Sequence, residues 1–156
     1  ETPTETFTFA AVADTYVYAS SPNASYAYSN ALRADASPDL HSYVRFNIQE
    51  LSGSVVSATL RIYANSNSTT GYSVYHVADN SWPENITYNT APAIGNLLGS
   101  SGRFNSSSWT TVDLTSFISG NGVVSLALVT SNTTAISMSS REGANPPQLF
   151  IEAAGQ

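Results

Sequence analysis

Apolar and polar residues alternate with a period of two along most of this chain, in runs of five to nine residues closed by Gly, Pro, Asn or Ser. That is the signature of half-buried strands. The clearest run is residues 41–48: Ser42, Val44, Phe46 and Ile48 point one way, His41, Tyr43, Arg45 and Asn47 the other. Residues 56–63 repeat it, with Ala58, Leu60 and Ile62 inward and Thr59, Arg61 and Tyr63 outward. Residues 14–18 alternate as well, and further strands are predicted at 32–34, 72–78, 109–114, 123–130, 135–139 and 148–153. The run 123–130 is apolar on both faces, as in a central strand covered on each side. No window sustains a helical period. Turns are marked by Ser21-Pro22-Asn23, Ser37-Pro38-Asp39, Ser52-Gly53, Thr70-Gly71, Gly120-Asn121-Gly122 and Asn145-Pro146-Pro147.

Many short strands at this spacing predict an all-β fold, a two-sheet antiparallel β-sandwich of jelly-roll type. Its core is expected to contain Val44, Phe46, Ile48, Leu60, Ile62, Leu126 and Leu128. The one long connection, residues 79–103, holds Trp82, Pro83, Pro92 and three Gly, with room for a single helical turn. Residues 1–9, rich in Thr, Pro and Glu, read as a linker running into a first strand, and 10–156 as a single β-sandwich domain. The first residue is Glu rather than Met, so a leader or neighbouring domain is expected to have preceded it.

Composition narrows the function. At 156 residues the chain has the length of one domain. Charged residues make up only 10%, against about 25% in soluble domains generally. The polar surface comes instead from 25 Ser, 16 Thr and 13 Asn, side chains that favour strands and turns over helices. All five basic residues are Arg, and the net charge is −6. No basic footprint for nucleic acid exists, and none for an anionic membrane. No apolar run approaches the roughly 20 residues of a membrane span. The absence of Cys removes disulfides, thiolate metal sites and thiol nucleophiles. Five Asn-x-Ser/Thr sequons, at Asn23, Asn67, Asn85, Asn105 and Asn132, permit glycosylation in a secreted glycoprotein.

Several segments in order resemble a known family: ADTYVY (13–18), SPNASYAYSNALRADASP (21–38), SYVRFNI (42–48), SATLRIY (57–63), VADNSWPENITYNTAPAIG (77–95), WTTVDLTSFISGNG (109–122) and SSREGANPPQLFIEA (139–153). Their order and spacing resemble the DNRLRE-type domain of disaggregatase-related proteins, classed among carbohydrate-binding modules. The resemblance implies a β-sandwich, secretion, attachment to a larger secreted or surface protein, and binding of polysaccharides, alginate among them. A bound calcium ion is common in jelly-roll binding modules generally. Members read as alginate binders are rich in Lys, and this chain has none.

Four Arg lie within strand motifs: Arg33, Arg45, Arg61 and Arg141. Alternation gives Arg45 and Arg61 the Tyr companions Tyr43 and Tyr63 two residues away. A phenol is a flat apolar plate with a hydroxyl handle, and a guanidinium fork holds a carboxylate or paired hydroxyls. Together with Trp82 of the long connection, these residues form the candidate carbohydrate-binding set. If the strands of Arg45 and Arg61 are neighbours, the four side chains make one patch of two cations between two plates. The structural alternative pairs the Arg with Asp14, Asp35 or Glu142.

His41, Tyr43 and Arg45 share one strand face and match, by residue type, the proton-transfer set of a polysaccharide lyase. The distinctive motifs of such lyases are missing, as are a nucleophile elbow and the ligands of a usual zinc set. Asp14, Asn23, Asp35, Asp39 and Glu142 lie in or beside turns with free carbonyls, which suits a hard cation. A structural Ca²⁺ with Asp14 or Glu142 among its ligands is expected. The leading expectation is a secreted, non-catalytic module that binds a polysaccharide, one containing uronate included. The alternatives are a structural or adhesive module of a cell-surface protein or filament, and a small lyase.

Overall fold

The computed structural model describes residues 3–155. Its strands in chain order are β1 (Thr4–Ala10), β2 (Ala13–Tyr18), β3 (Ala31–Ala36), β4 (Asp39–Ile48), β5 (Val55–Ala64), β6 (Ser73–Val77), β7 (Leu97–Ser100), β8 (Ser108–Asp113), β9 (Gly122–Val129), β10 (Ile136–Ser139) and β11 (Gln148–Ala154). Every pairing is antiparallel, and no helix forms among the described residues.

The first sheet sets β1 against β11, β11 against β5 and β5 against β8. The second runs β2-β4-β9-β6-β7. Strand β3 belongs to both. Residues 31–34 pair with β10, which meets the end of β5 at Met138, and residues 35–36 pair with β4. This corner joins the two layers of the sandwich. From β4 onward the chain repeatedly crosses between sheets, as jelly rolls do.

The main core fills the space between the sheets. All seven side chains expected there are 0–1% exposed, packed with Leu32, Val112, Leu149 and Ile151. Each occupies the inward phase of its strand, so the period-two pattern of the sequence is the direct cause of this layer. Strand β9, apolar on both faces, is central between β4 and β6. A close approach of backbone fixes one turn: Gly71 has φ +72°, and a Cβ there would stand on the carbonyl oxygen of Gly102.

One expectation changes. The long connection contains no helical turn. Its last part zips onto the free edge of β6 as β7, after Gly95 N–H and His76 N–H have exchanged bonds with the carbonyls of His76 and Asn96. Its earlier part folds back over the second sheet. The segment expected to run into the first strand is itself a strand from Thr4, paired with β11 along its length; residues 1 and 2, and Gln156, lie outside the described residues.

Candidate functional site

The single Arg/Tyr patch on neighbouring strands does not form. Strand β4 pairs with β2, β3 and β9, and β5 pairs with β11, β8 and β10, so Arg45 and Arg61 sit on opposite sheets. Both point away from the main core, as their phase dictates, but on opposite outer faces of the sandwich. Strand neighbours are set by non-local pairing, which a strand's own pattern does not encode.

On the second sheet, residues 78–96 close over Arg45. Trp82, Ile86 and the partly buried Tyr88 pack onto Ala13, Val17, Tyr43, Val77 and Ala127, making a second, smaller core outside the sandwich. Arg45 Nη1 donates to the carbonyls of Trp82 (2.7 Å) and Asn80 (3.3 Å), and its guanidinium lies 4.7 Å from the centre of the Trp82 ring. Trp82 Nε1 donates to Ser125 Oγ (3.0 Å), and the Tyr43 hydroxyl donates to the Pro92 carbonyl (3.2 Å). Tyr43 and Trp82 are 1% and 2% exposed. Neither offers a plate to a sugar, and Arg45 is committed to the loop. His41 is buried beside them, with Nδ1 3.2 Å from Asp39 Oδ1 and Nε2 3.1 Å from the Tyr43 hydroxyl. Burial, then Asp39 and Tyr88, push the Tyr43 hydroxyl well above its usual pKa. The residues of the lyase reading therefore come together, but beneath a lid of backbone and indole.

The outer face of the first sheet differs: no loop folds over it among the described residues. Register places Arg61 opposite Gln148 on one side and Thr111 on the other, and Tyr63 opposite Trp109. Phe150 stands opposite Thr59 and Thr8, in the outward phase. The Arg61 guanidinium lies 5.3 Å from the centre of the Trp109 ring, and Tyr63 meets that ring edge-on at 5.4 Å and 76°. Arg61, Tyr63, Trp109 and Phe150 are all partly exposed, and Arg61 makes no ion pair among the described residues. Trp109 and Phe150 were not among the expected site residues. Their signal lay in the alternation: Val112 and Leu114 fix the inward phase of 109–114, which turns Trp109 outward, and Leu149 and Ile151 do the same for Phe150.

Arg33 is exposed at the corner, opposite Ser137 on β10. Arg141 is spent on carboxylates, with Nη1 3.1 Å from Glu84 Oε2 and 3.3 Å from Glu142 Oε2. Asp14, Glu84 and Glu142 each bring a carboxylate oxygen within 4.8 Å of the others. Burial pushes the Asp14 carboxyl up to about 7; the Arg141 amide works against this, and Glu142 and Glu84 add to it. Asp35, Asp39 and Asn23 are elsewhere: Asp35 accepts from Ser37 N–H, Asp39 from Tyr88, and Asn23 from Asn89. A shallow polar recess lined by Asn67, Ser68, Thr69, Asn132 and Thr134 has no aromatic plate.

A family model described as carbohydrate-binding module family 96 matches residues 5–153. A search of curated proteins finds no match. Among solved structures, CsCBM6-3 from Clostridium stercorarium, in complex with cellobiose, is 13% identical over 91% of this chain and 93% of that chain, with a TM-score of 0.29. That likeness is too loose to transfer any position.

Proposed function

The chain belongs to carbohydrate-binding module family 96, and from that premise we propose that it binds a polysaccharide, without catalysis, on the outer face of its first sheet. The observation that supports this is the open arrangement of Arg61, Trp109 and Tyr63. A pyranose ring has apolar C–H faces and a rim of hydroxyls. The indole and phenol supply apolar plates for the faces, and the Arg61 fork and Gln148 amide supply donors for the rim. With Arg61 free of ion pairs among the described residues, a sugar bearing carboxylates is favoured, and uronate-containing polysaccharides are the proposed ligand class. Binding on a sheet face rather than in a deep cleft suits an extended polymer. The module is further read as part of a larger secreted or surface protein, in keeping with its sequons and the ordered motifs it shares with the DNRLRE-type domain.

The test is titration calorimetry against a panel of neutral and uronate-containing oligosaccharides. Trp109→Ala, confirmed folded by circular dichroism, should lose about tenfold or more in affinity, as removal of a central aromatic anchor does. Undiminished affinity in both Trp109→Ala and Arg61→Ala would move the site off this face. Release of unsaturated uronate products by the wild type would overturn the non-catalytic reading.

A further inference from the structure

Three carboxylates converge from three separate segments at one edge of the second sheet: Asp14 from β2, Glu84 from the covering loop and Glu142 from the turn before β11. Glu84 Oε2 accepts from Asp14 N–H (3.0 Å), and Asp14 Oδ2 accepts from Arg141 N–H (2.8 Å). Among the described residues the cation beside them is Arg141, which places Nη1 on Glu84 and Glu142. Asp14 is 1% exposed, and its other oxygen, Oδ1, has no hydrogen-bond partner among the described residues. A buried carboxylate oxygen without a partner is rare and costly. When all are ionised, three carboxylates and one guanidinium leave two negative charges, the charge a divalent ion neutralises.

We infer that Asp14, Glu84 and Glu142 form a binding site for a single Ca²⁺ ion, with Asp14 Oδ1 as its buried ligand. The donors are all hard oxygens, with no His and no Cys among them, which selects alkaline-earth ions over zinc or copper. Their spacing within 4.8 Å suits an ion bonded at about 2.3–2.6 Å. Ligands drawn from three unconnected segments favour the irregular geometry calcium accepts over the strict octahedron of magnesium. The ion ties the covering loop, through Glu84, to β2 and to the 140–147 turn. Calcium here thus acts on the second sheet's lid and not on the open face of the first.

The experiment uses the full chain, treated with chelator and dialysed, with Ca²⁺ itself as the probe. Calorimetry should find one equivalent bound. Millimolar Ca²⁺ should raise the melting temperature by several degrees over chelator at equal ionic strength, because an ion bound to the native state alone stabilises it by mass action. Mg²⁺ should do less. Glu84→Gln should weaken Ca²⁺ binding by about tenfold or more while the protein stays folded. Asp14→Asn should abolish the calcium-dependent shift, and without metal it should melt at or above the wild type, since the amide removes a buried charge. Superimposable melting curves with calcium and chelator, together with no binding heat, would overturn the site. So would a calcium shift that survives undiminished in Asp14→Asn.

Discussion

Each outer face of the sandwich carries the same trio of side chains. On the second sheet, Arg45 lies 4.7 Å from the Trp82 ring, and Tyr43 is tilted to it at 5.9 Å. On the first, Arg61 lies 5.3 Å from the Trp109 ring, with Tyr63 edge-on at 5.4 Å. In both, Arg and Tyr are two residues apart on one strand and the indole comes from a distant segment. What differs is cover. A loop has brought Trp82 down onto the sheet and sealed its trio into a small core, whereas Trp109 arrives on the neighbouring strand β8 and leaves its trio open. Identical chemistry becomes stabilisation in one place and an open, unfilled face in the other. The Arg shows it best: Arg45 spends its donors on loop carbonyls, and Arg61 keeps its own free of ion pairs among the described residues.

That contrast can be broken by matched substitutions. The largest effect is expected at the covered indole. Trp82→Ala should destabilise the protein by about 3–5 kcal/mol, the usual cost of emptying a buried aromatic site. Trp109→Ala should cost far less in thermal or denaturant melts while losing affinity. Equal losses of stability at the two positions would erase the distinction. Next come the guanidinium groups. Arg45→Ala removes two charge-assisted bonds to carbonyls that hold the loop, and about 1.5–3 kcal/mol should go with them. Arg61→Ala should leave urea midpoints within about 0.5 kcal/mol of the wild type, as an exposed substitution does, and weaken acidic ligands. Smaller again, Tyr43→Phe forfeits the hydroxyl bond to Pro92, worth about 1 kcal/mol. Its counterpart Tyr63→Phe should be neutral in the same melts. The smallest expected signal is ionic. Raising salt should weaken an acidic oligosaccharide bound to the wild type more than one bound to Arg61→Ala, because exposed charges are screened within roughly 8–10 Å. A salt dependence unchanged by that substitution would place the ionic contact elsewhere.

The strand phases were legible from particular residues. Val44 and Phe46, Leu60 and Ile62, Leu126 and Leu128 announce their inward faces through alternation, and the layered core follows. Which strand lies beside which was not legible, because the β4–β9 and β5–β11 pairs join segments roughly half the chain apart in sequence. The cover over Tyr43 was equally hidden. Residues 78–96 read as an irregular connection, and nothing in their pattern says that Trp82 and Ile86 fold back onto a sheet. Hence Tyr43 and Trp82, expected as plates, are packed away, while the phase of 109–114 turns Trp109 outward. Asp14 and Glu142 were readable as candidate cation ligands. Glu84 was not, since only the same fold-back brings it to them.

The pairing of β1 with β11 has a mechanical consequence. Thr4 stands opposite Ala154 and Ala10 opposite Gln148, and Gly155 N–H bonds the Pro3 carbonyl, so the two ends of the described chain emerge side by side. Tension applied between them meets the cross-strand bonds one after another, as in opening a zipper, rather than all together in shear. Strand β11 is backed by β5, so β1 yields first and draws Phe7 and Phe9 away from the core. Such a geometry is poorly suited to a link within a load-bearing chain.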